Sequence, residues 1–218
     1  MALRAVAFDL DGTFYRYSLL LLKSLPLIAR HARFFAAFGQ VRRAIRALRP
    51  IRDIRRLQAQ MVAHRLSCPP DRAGELIEQV VYGKLAETLR GIRPLPCLKL
   101  CLGRLKEAGL KLAVLSDLPV ERKLAFLGLE GFWDAALCSE TTQYLKPNPE
   151  PFTYLAERLG IPPAEILYVG DRYRYDVIGA REAGLRSAHF SSKGEPGSLA
   201  DFTINRYKVF PALLNALS

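Results

Sequence analysis

The sequence predicts an α/β protein, a doubly wound parallel sheet with an inserted all-helical domain. Three observations predict this class. Short apolar runs alternate with amphipathic helical stretches over residues 95–204, which is typical of a parallel sheet covered on both faces. One apolar run, residues 3–10, stands apart from the others, and residues 18–91 show only helical periodicity. Carboxylates directly follow several of the apolar runs, as at the ligand-binding edge of such a sheet.

The strands are predicted from short apolar runs that end in polar residues. Five of them are expected at residues 3–10, 110–117, 134–139, 165–171 and 186–191, with residues 201–204 as a short edge strand. Because these runs are apolar along most of their length, both faces of the sheet are expected to be covered by helices.

Helical periodicity fills the spaces between the strands. In the second half of the chain it predicts helices over residues 96–109, 119–131, 150–160 and 176–185. Two longer amphipathic stretches, residues 40–66 and 69–89, predict the helices of the insertion. The expected division is therefore a core of residues 1–15 and 94–218 and a helical insertion of residues 16–93.

Composition favours a globular protein with an unusual charge distribution. Half of the 218 residues are apolar and the formal net charge is +11. Residues 14–94 hold sixteen lysines and arginines against five acids, so they carry the whole excess. Seven of these arginines form an arginine-rich run at positions 42–56, for which the usual interpretation is a solvated helix face. Steering of an anionic substrate, or contact with nucleic acid or an anionic membrane, is the alternative.

The apolar segments predict no membrane span. Lys23, Pro26 and Arg30 interrupt the longest of them, so the leucines at 19–22 are interpreted as the insertion's own core. Two aspartates interrupt the N-terminal apolar run, which excludes a signal peptide there. Four cysteines without a CxxC spacing are expected to be reduced thiols of a cytoplasmic protein.

Candidate site residues follow the predicted strands. Asp9 and Asp11 end the first strand, Ser116 and Asp117 end the second, and Lys146 lies in a proline-stiffened loop after the third. Residues two apart in a strand share a side of the sheet, so Asp9 and Asp11 are expected to point the same way.

Further carboxylates belong to the fourth strand. Asp171 ends it, and Asp176 begins the helix after it. Clustered acids repel one another unless a cation holds them, and oxygen ligands suit magnesium. Magnesium and a lysine together would neutralise an incoming phosphoryl group, so that one carboxylate attacks phosphorus and a second, made partly neutral by crowding, transfers protons.

The segments DLDGT, VLSD, LKPNPEPF and GDRYRYD resemble, in order, the four motifs of haloacid-dehalogenase-like (HAD) hydrolases. The resemblance covers residues 3–13 and about 95–200. It implies that Asp9 is the nucleophile and Asp11 the general acid and base. It also implies a Mg²⁺ ion held by the carboxylates of Asp9 and Asp171 and the backbone carbonyl of Asp11, with Asp176 supporting it through water.

The same resemblance assigns the remaining roles. Ser116 would hold phosphoryl oxygens and Lys146 would balance charge. Residues 14–94 look like the helical cap of subfamily I members, such as phosphoglycolate-phosphatase-like proteins. Candidate substrate-binding residues are Thr13, Arg16, Asp117 and Arg172. Arg16 either contacts substrate or packs at the hinge of the cap, and Arg172 either grips a second anionic group or forms a salt bridge within its loop.

These observations favour a Mg²⁺-dependent phosphatase that acts on a small anionic phosphorylated metabolite through an aspartyl-phosphate. An aspartate at position 11 supplies a proton donor for an oxygen leaving group, which dehalogenases do not need. A phosphomutase of the same fold stays open, as does a non-catalytic protein that binds nucleic acid or an anionic membrane through its basic cap. The expected assembly is a monomer or homodimer.

Overall fold

A computed structural model describes residues 2–210 of the chain. Their sheet has six parallel strands in the order β3-β2-β1-β4-β5-β6, which confirms the predicted fold class. The strands are β1 (Ala5–Phe8), β2 (Lys111–Ser116), β3 (Ala135–Cys138), β4 (Ile166–Gly170), β5 (Arg186–Phe190) and β6 (Phe202–Ile204). Residues 1 and 211–218 of the predicted core lie outside the described residues.

Strand β1 lies between β2 and β4 and is buried at every residue. In the register of the sheet, Phe8 stands opposite Val114 of β2 and Val169 of β4. Asp9 follows at once, and its backbone N–H donates to the carbonyl of Val169 at 2.8 Å. The carboxyl ends of these three parallel strands therefore meet at one edge, where the predicted site residues lie.

The described residues form eight α-helices, and the four that follow residue 97 cover both faces of the sheet. The eight are α1 (Tyr17–Arg30), α2 (Ala32–Ile45), α3 (Ile54–Leu66), α4 (Pro70–Leu76), α5 (Leu98–Glu107), α6 (Glu121–Leu127), α7 (Pro149–Leu159) and α8 (Gly179–Glu182). A π-helical segment, Ile77–Leu85, continues α4, and a second one, Tyr173–Ile178, precedes α8. Phe8 packs with Leu102 of α5 on one face, and the small residue Ala7 packs with Phe152 of α7 on the other.

The helices between β1 and α5, called the helical insertion below, differ from the prediction in one respect. The continuous helix expected over residues 40–66 is wrong, because α2 ends at Ile45 and α3 begins only at Ile54. Pro50 lacks the N–H that a helix interior needs. Asp53 then starts α3 as its N-cap, since its carboxylate accepts from the backbone N–H of Arg56 at 2.9 Å.

The helical insertion has an apolar cluster of its own that includes Phe34, Val41, Val62 and Val80. The leucine run at 19–22 contributes little to any core. Leu20 is buried, whereas Leu19, Leu21 and Leu22 are exposed, so the interpretation of the run as core is wrong for these three. The boundaries at residues 15/16 and 93/94 stay a prediction.

Among residues 2–210, no helix is long and apolar enough to cross a membrane. The four cysteines are free thiols, as expected. Burial raises the pKa of Cys101 and of Cys138 to about 12, so both are protonated near neutral pH.

Gly179, the first residue of α8, allows a close approach of two elements. A Cβ there would lie 2.8 Å from a ring carbon of Phe152 and 2.9 Å from backbone atoms of Pro147. Gly179→Ala is therefore expected to lower the free energy of unfolding by about 1–3 kcal/mol. The control Gly103→Ala meets no such atom within 4 Å and should be neutral or stabilising by up to about 1 kcal/mol. Urea unfolding measures both, and equal losses would contradict the packing argument.

Candidate active site

The carboxyl edge of the sheet brings together the predicted residues of all four motifs. Asp9 and Ser116 are buried, and Lys146 and Asp176 are buried with them. The Lys146 ammonium donates to Asp9 Oδ1 at 2.7 Å and to Asp176 Oδ1 at 2.6 Å. It also donates to the Tyr168 hydroxyl at 2.9 Å. Burial alone would lower the pKa of Lys146, but the two carboxylates outweigh it and raise the pKa well above its usual range.

Three carboxylates lie close enough to share a cation. One oxygen from each of Asp9, Asp171 and Asp176 lies within 4.8 Å of the other two. Burial and the neighbouring acids raise the pKa of Asp9 well above its usual value, although Lys146 opposes them. Burial and the charge of Asp176 likewise raise the pKa of Asp171 to about 6. Both shifts come first from burial and then from neighbouring anions, so a cation bound between these carboxylates would favour their charged forms.

Asp171 provides the observation that tests the fit of a divalent cation. Its Oδ1 is buried and has no hydrogen-bond partner among the described residues. A Cβ on Gly12 would lie 2.3 Å from Asp171 Oδ2, and Gly12 has a φ of +102°, so only glycine allows this approach. An unpartnered carboxylate oxygen beside two other carboxylates is a donor set that fits Mg²⁺.

Asp11 has a different environment from Asp9. Its carboxylate accepts hydrogen bonds from Tyr15, from Ser116 at 3.3 Å and from the ammonium of Lys123. Burial raises the pKa of Asp11, but the charge and hydrogen bond of Lys123 and the hydrogen bond of Tyr15 bring it below its usual value. The expectation that crowding makes this second carboxylate partly neutral is therefore wrong, because a lysine compensates it.

Arg42 and Arg46 extend from α2 to the core. Arg42 is buried, pairs with Glu140 after β3, and donates to the backbone carbonyl of Asp117 at 2.6 Å. Arg46 donates to Asp117 Oδ2 at 2.5 Å and to the backbone carbonyl of Lys146 at 2.7 Å. The interpretation of the arginine-rich run as a solvated face is wrong for these two, because both bind core acids beside the site.

A cavity opens beside the carboxylates, and the four predicted substrate-binding residues differ in where they lie relative to it. Thr13 is buried and donates to Asp9 Oδ2 at 3.4 Å, so it supports the carboxylate rather than lining the cavity. Asp117 lines the cavity but is already bound by Arg46. Arg16 is exposed and outside the cavity lining, which does not agree with the expectation that it contacts substrate.

Arg172 is the fourth of these residues, and it lines the cavity. Its guanidinium lies 5.7 Å from the ring centre of Tyr17 and 6.0 Å from that of Tyr175. It forms no salt bridge with a described carboxylate. Of the two interpretations of Arg172, the salt bridge within its loop is therefore not observed.

The cavity beside the carboxylates has a volume of about 180 Å³. Charged side chains from the sheet edge and from α2 line one part of it. Apolar side chains line the rest: Leu20, Phe38, Leu85 and Leu89 from the helical insertion and Leu118 from the core. The cavity is smaller than the roughly 300–1,000 Å³ of drug-sized ligand sites, so it suits a small molecule.

Comparison with known sequences decides the family. A profile described as haloacid dehalogenase-like hydrolase matches residues 3–184. The chain belongs to the haloacid dehalogenase-like hydrolase family. The resemblance drawn from the four motifs is thereby confirmed at the level of the family.

Curated relatives of this HAD-like hydrolase include named phosphatases. The glyceraldehyde 3-phosphate phosphatase of Methanopyrus kandleri is 42% identical over 97 residues, which are 43% of this chain and 42% of the relative. The phosphoglycolate phosphatase of Escherichia coli (strain K12) is 34% identical over 109 residues, 49% of this chain and 42% of the relative. In both matches the chain spans less than half the length of the relative.

Solved structures of the family share the fold over nearly the whole chain. The HAD phosphatase from Thermococcus onnurineus matches with a TM-score of 0.67 and 23% identity, covering 97% of this chain and 98% of that one. The L-2-haloacid dehalogenase from Xanthobacter autotrophicus matches with a TM-score of 0.70 and 22% identity, covering 99% and 100%. At these identities the likeness concerns the fold alone.

Several residues of the site were not predicted from the sequence. Tyr15 and Lys123 both bind Asp11, and Glu140 binds Arg42. A polar residue on an otherwise apolar helix face is the available signal for Lys123, since it is buried together with Leu124 and Leu127 of α6. No comparable signal distinguishes Glu140 from an ordinary exposed loop acid.

Proposed function

We propose that this HAD-like hydrolase is a Mg²⁺-dependent phosphatase that cleaves a small phosphate monoester through an aspartyl-phosphate on Asp9. One observation carries the proposal. The ammonium of Lys146 joins Asp9 to Asp176, while an unpartnered oxygen of Asp171 lies beside them. This arrangement offers a carboxylate nucleophile next to positive charge and to a place for a cation, which phosphoryl transfer requires.

In the first step, an oxygen of Asp9 attacks phosphorus while the bond from phosphorus to the leaving oxygen breaks. For this step Asp11 must first take up a proton, because burial is outweighed by Lys123 and Tyr15, which hold its pKa below the usual value in the free protein; it then gives that proton to the leaving oxygen. In the second step, water attacks the phosphorus of the aspartyl-phosphate, Asp11 takes the proton, and inorganic phosphate leaves with the Asp9 carboxylate restored. The hydrogen bond from Ser116 to Asp11 supports an Asp11 carboxylate that is held in place through both steps.

Asp9 and Asp171 would hold Mg²⁺ together with the backbone carbonyl of Asp11, and Asp176 would support the ion through water. When bound, the ion supplies charge neutralisation for phosphoryl oxygens. The chain's own contribution is to hold the Asp9 carboxylate in place. Thr13 donates to one of its oxygens and Lys146 to the other, so both oxygens have a fixed direction. Such positioning lowers the cost of bringing nucleophile and phosphorus together.

Magnesium is expected to stabilise the folded protein through Asp171. At a concentration about 100-fold above its dissociation constant, the ion should raise the free energy of unfolding by about 2.7 kcal/mol. Asp171→Asn should lose most of this increase, because the amide has no negative charge and replaces one carboxylate oxygen with a nitrogen. Thermal unfolding with Mg²⁺ and with EDTA measures it. Asp71→Asn, on the exposed first turn of α4, is the control, and an equal Mg²⁺ response in wild type and Asp171→Asn would contradict this site.

The lining of the cavity supports a particular kind of substrate. Arg42 and Arg46 are occupied by core acids, and five apolar side chains form much of the remaining wall. A leaving group with an apolar carbon portion would bury that surface. The names of the relatives suggest phosphoglycolate and glyceraldehyde 3-phosphate as two further substrates to test.

The test is a panel of phosphate monoesters, including an aryl phosphate, an alkyl phosphate and the two compounds above. We expect Mg²⁺-dependent release of inorganic phosphate from at least one member, with a higher kcat/KM for the apolar esters. Transfer of labelled phosphate between positions of a sugar, without release, would indicate a phosphomutase instead. No release from the panel by the folded protein with Mg²⁺ would overturn the proposal.

A further inference from the structure

The outer surface of α1 carries an unusual concentration of exposed leucines. Of the nine large apolar side chains that are exposed in the described residues, five lie between positions 17 and 25 of this one helix. Leu22 is 63% exposed and Leu25 is 54% exposed. Single exposed apolar residues are ordinary on protein surfaces, but a group on one element marks an interaction site.

These leucines form one face of the helix. The inner face of α1 is given by Leu20 and Ser24, which are buried. At about 100° of rotation per residue, Leu21, Leu22 and Leu25 fall within an arc of roughly 100° that turns away from that inner face. This outer face, defined by Leu21, Leu22 and Leu25, has no described partner that covers it.

The chain segment that contains α1 carries charge of a single sign. Residues 12–52 contain nine lysines and arginines and no acidic residue. Three of the arginines, at 42, 46 and 49, pair with acids of the core. Arg16, Arg30 and Arg33 are exposed and form no salt bridge with the described residues, so they leave the ends of α1 positively charged.

We propose that the outer face of α1 docks on an anionic lipid surface. An amphipathic helix that combines leucines with flanking cations lies in the interface, its leucines in the acyl boundary and its cations among the headgroups. The helix has 14 residues, and the chain has no described helix that could cross a bilayer, so the contact is peripheral.

Charge distinguishes a bilayer from the two other occupants. A second copy of this chain has the same net charge of +11 and the same exposed Arg16, Arg30 and Arg33, so its approach adds repulsion. Nucleic acid would attract the arginines but would leave the leucines without a role. Of these three occupants, an anionic lipid surface is the one that uses both the leucines and the cations.

Vesicle binding by the full chain tests the proposal without relying on phosphatase activity. Vesicles of phosphatidylcholine alone are compared with vesicles of equal parts phosphatidylcholine and phosphatidylglycerol. We expect sedimentation with the anionic vesicles only, and a decrease with added NaCl because salt screens the arginines. Leu22→Gln/Leu25→Gln should lower the partition coefficient about tenfold or more.

Matched variants separate this face from general properties of the surface. Leu100→Gln removes a leucine of α5 that is 57% exposed and should bind as wild type does. Arg16→Gln/Arg30→Gln should weaken binding, whereas Arg104→Gln/Arg158→Gln, exposed cations of the core, should not. Circular dichroism confirms that each variant is folded.

Three results would overturn the proposal. The first is no sedimentation of the folded wild type with anionic vesicles. The second is binding that the leucine variant does not reduce, which would indicate charge attraction alone, as for nucleic acid. The third is a dimer in light scattering that Leu22→Gln/Leu25→Gln dissociates, together with no vesicle binding, which would assign the face to a second copy.

Discussion

Asp9→Asn is expected to reduce phosphate release by about 10⁴-fold or more, the effect of removing a nucleophile that forms a covalent intermediate. The reason lies in the position of this carboxylate. It is buried at the end of the central strand, and Thr13 and Lys146 hold one oxygen each. An amide nitrogen or oxygen in its place has no charge with which to attack phosphorus.

The measurement is kcat with the best ester of the panel, for folded wild type, Asp9→Asn and the surface control Asp71→Asn. The control should keep wild-type activity. Circular dichroism and thermal unfolding show whether Asp9→Asn is folded. A folded Asp9→Asn variant that retains a tenth of the activity would remove Asp9 from the nucleophile's role, while the vesicle-binding proposal would stand, since α1 is unchanged.

Glu140→Gln is expected to lower the free energy of unfolding by about 3–5 kcal/mol, the usual cost of leaving one partner of a buried ion pair without the other. The Glu140 side chain is 2% exposed and that of its partner Arg42 is 9% exposed. Glu140 also accepts hydrogen bonds from the Tyr82 hydroxyl at 2.8 and 2.9 Å and from Gln58 at 3.3 Å. Arg55 Nε also lies 3.7 Å from Glu140 Oε2, so one carboxylate joins four residues of the helical insertion to the core.

Chemical denaturation of single and double variants measures this coupling. Arg42→Met/Glu140→Gln should be less destabilised than the sum of its two single variants, because neither charge is then left alone. Arg72→Met is the control, since its pair with Glu75 is exposed and should be worth less than about 1 kcal/mol. Additive losses in the double variant would show that Arg42 and Glu140 do not stabilise each other.

The sheet was the most predictable part of the molecule. Every predicted strand is present. A parallel strand that is buried on both faces consists of consecutive apolar residues, so a short apolar run is a reliable signal for it. The order of the strands places the ends of β1, β2 and β4 at one edge. Asp9, Lys146, Asp171 and Asp176 could be placed together for the same reason, since parallel strands bring their carboxyl ends together.

The contacts between distant segments were less predictable. Lys123 lies 112 residues from Asp11 and Arg42 lies 98 residues from Glu140. Local periodicity does not predict which acidic residue will pair with a buried lysine or arginine. The same limit explains why three of the leucines at 19–22 were wrongly expected to be buried. An apolar run predicts burial, but it does not show that α1 packs against the rest of the protein through only one of its faces.

The loop of Lys146 receives bonds from two directions. Its ammonium binds Asp9, its backbone N–H donates to Asp117 at 3.0 Å, and its carbonyl accepts from Arg46 of α2. Arg46 therefore links α2 of the helical insertion to the peptide that carries the Lys146 ammonium. The insertion thereby contributes to the position of the charge beside Asp9, although none of its described carboxylates lies in the site.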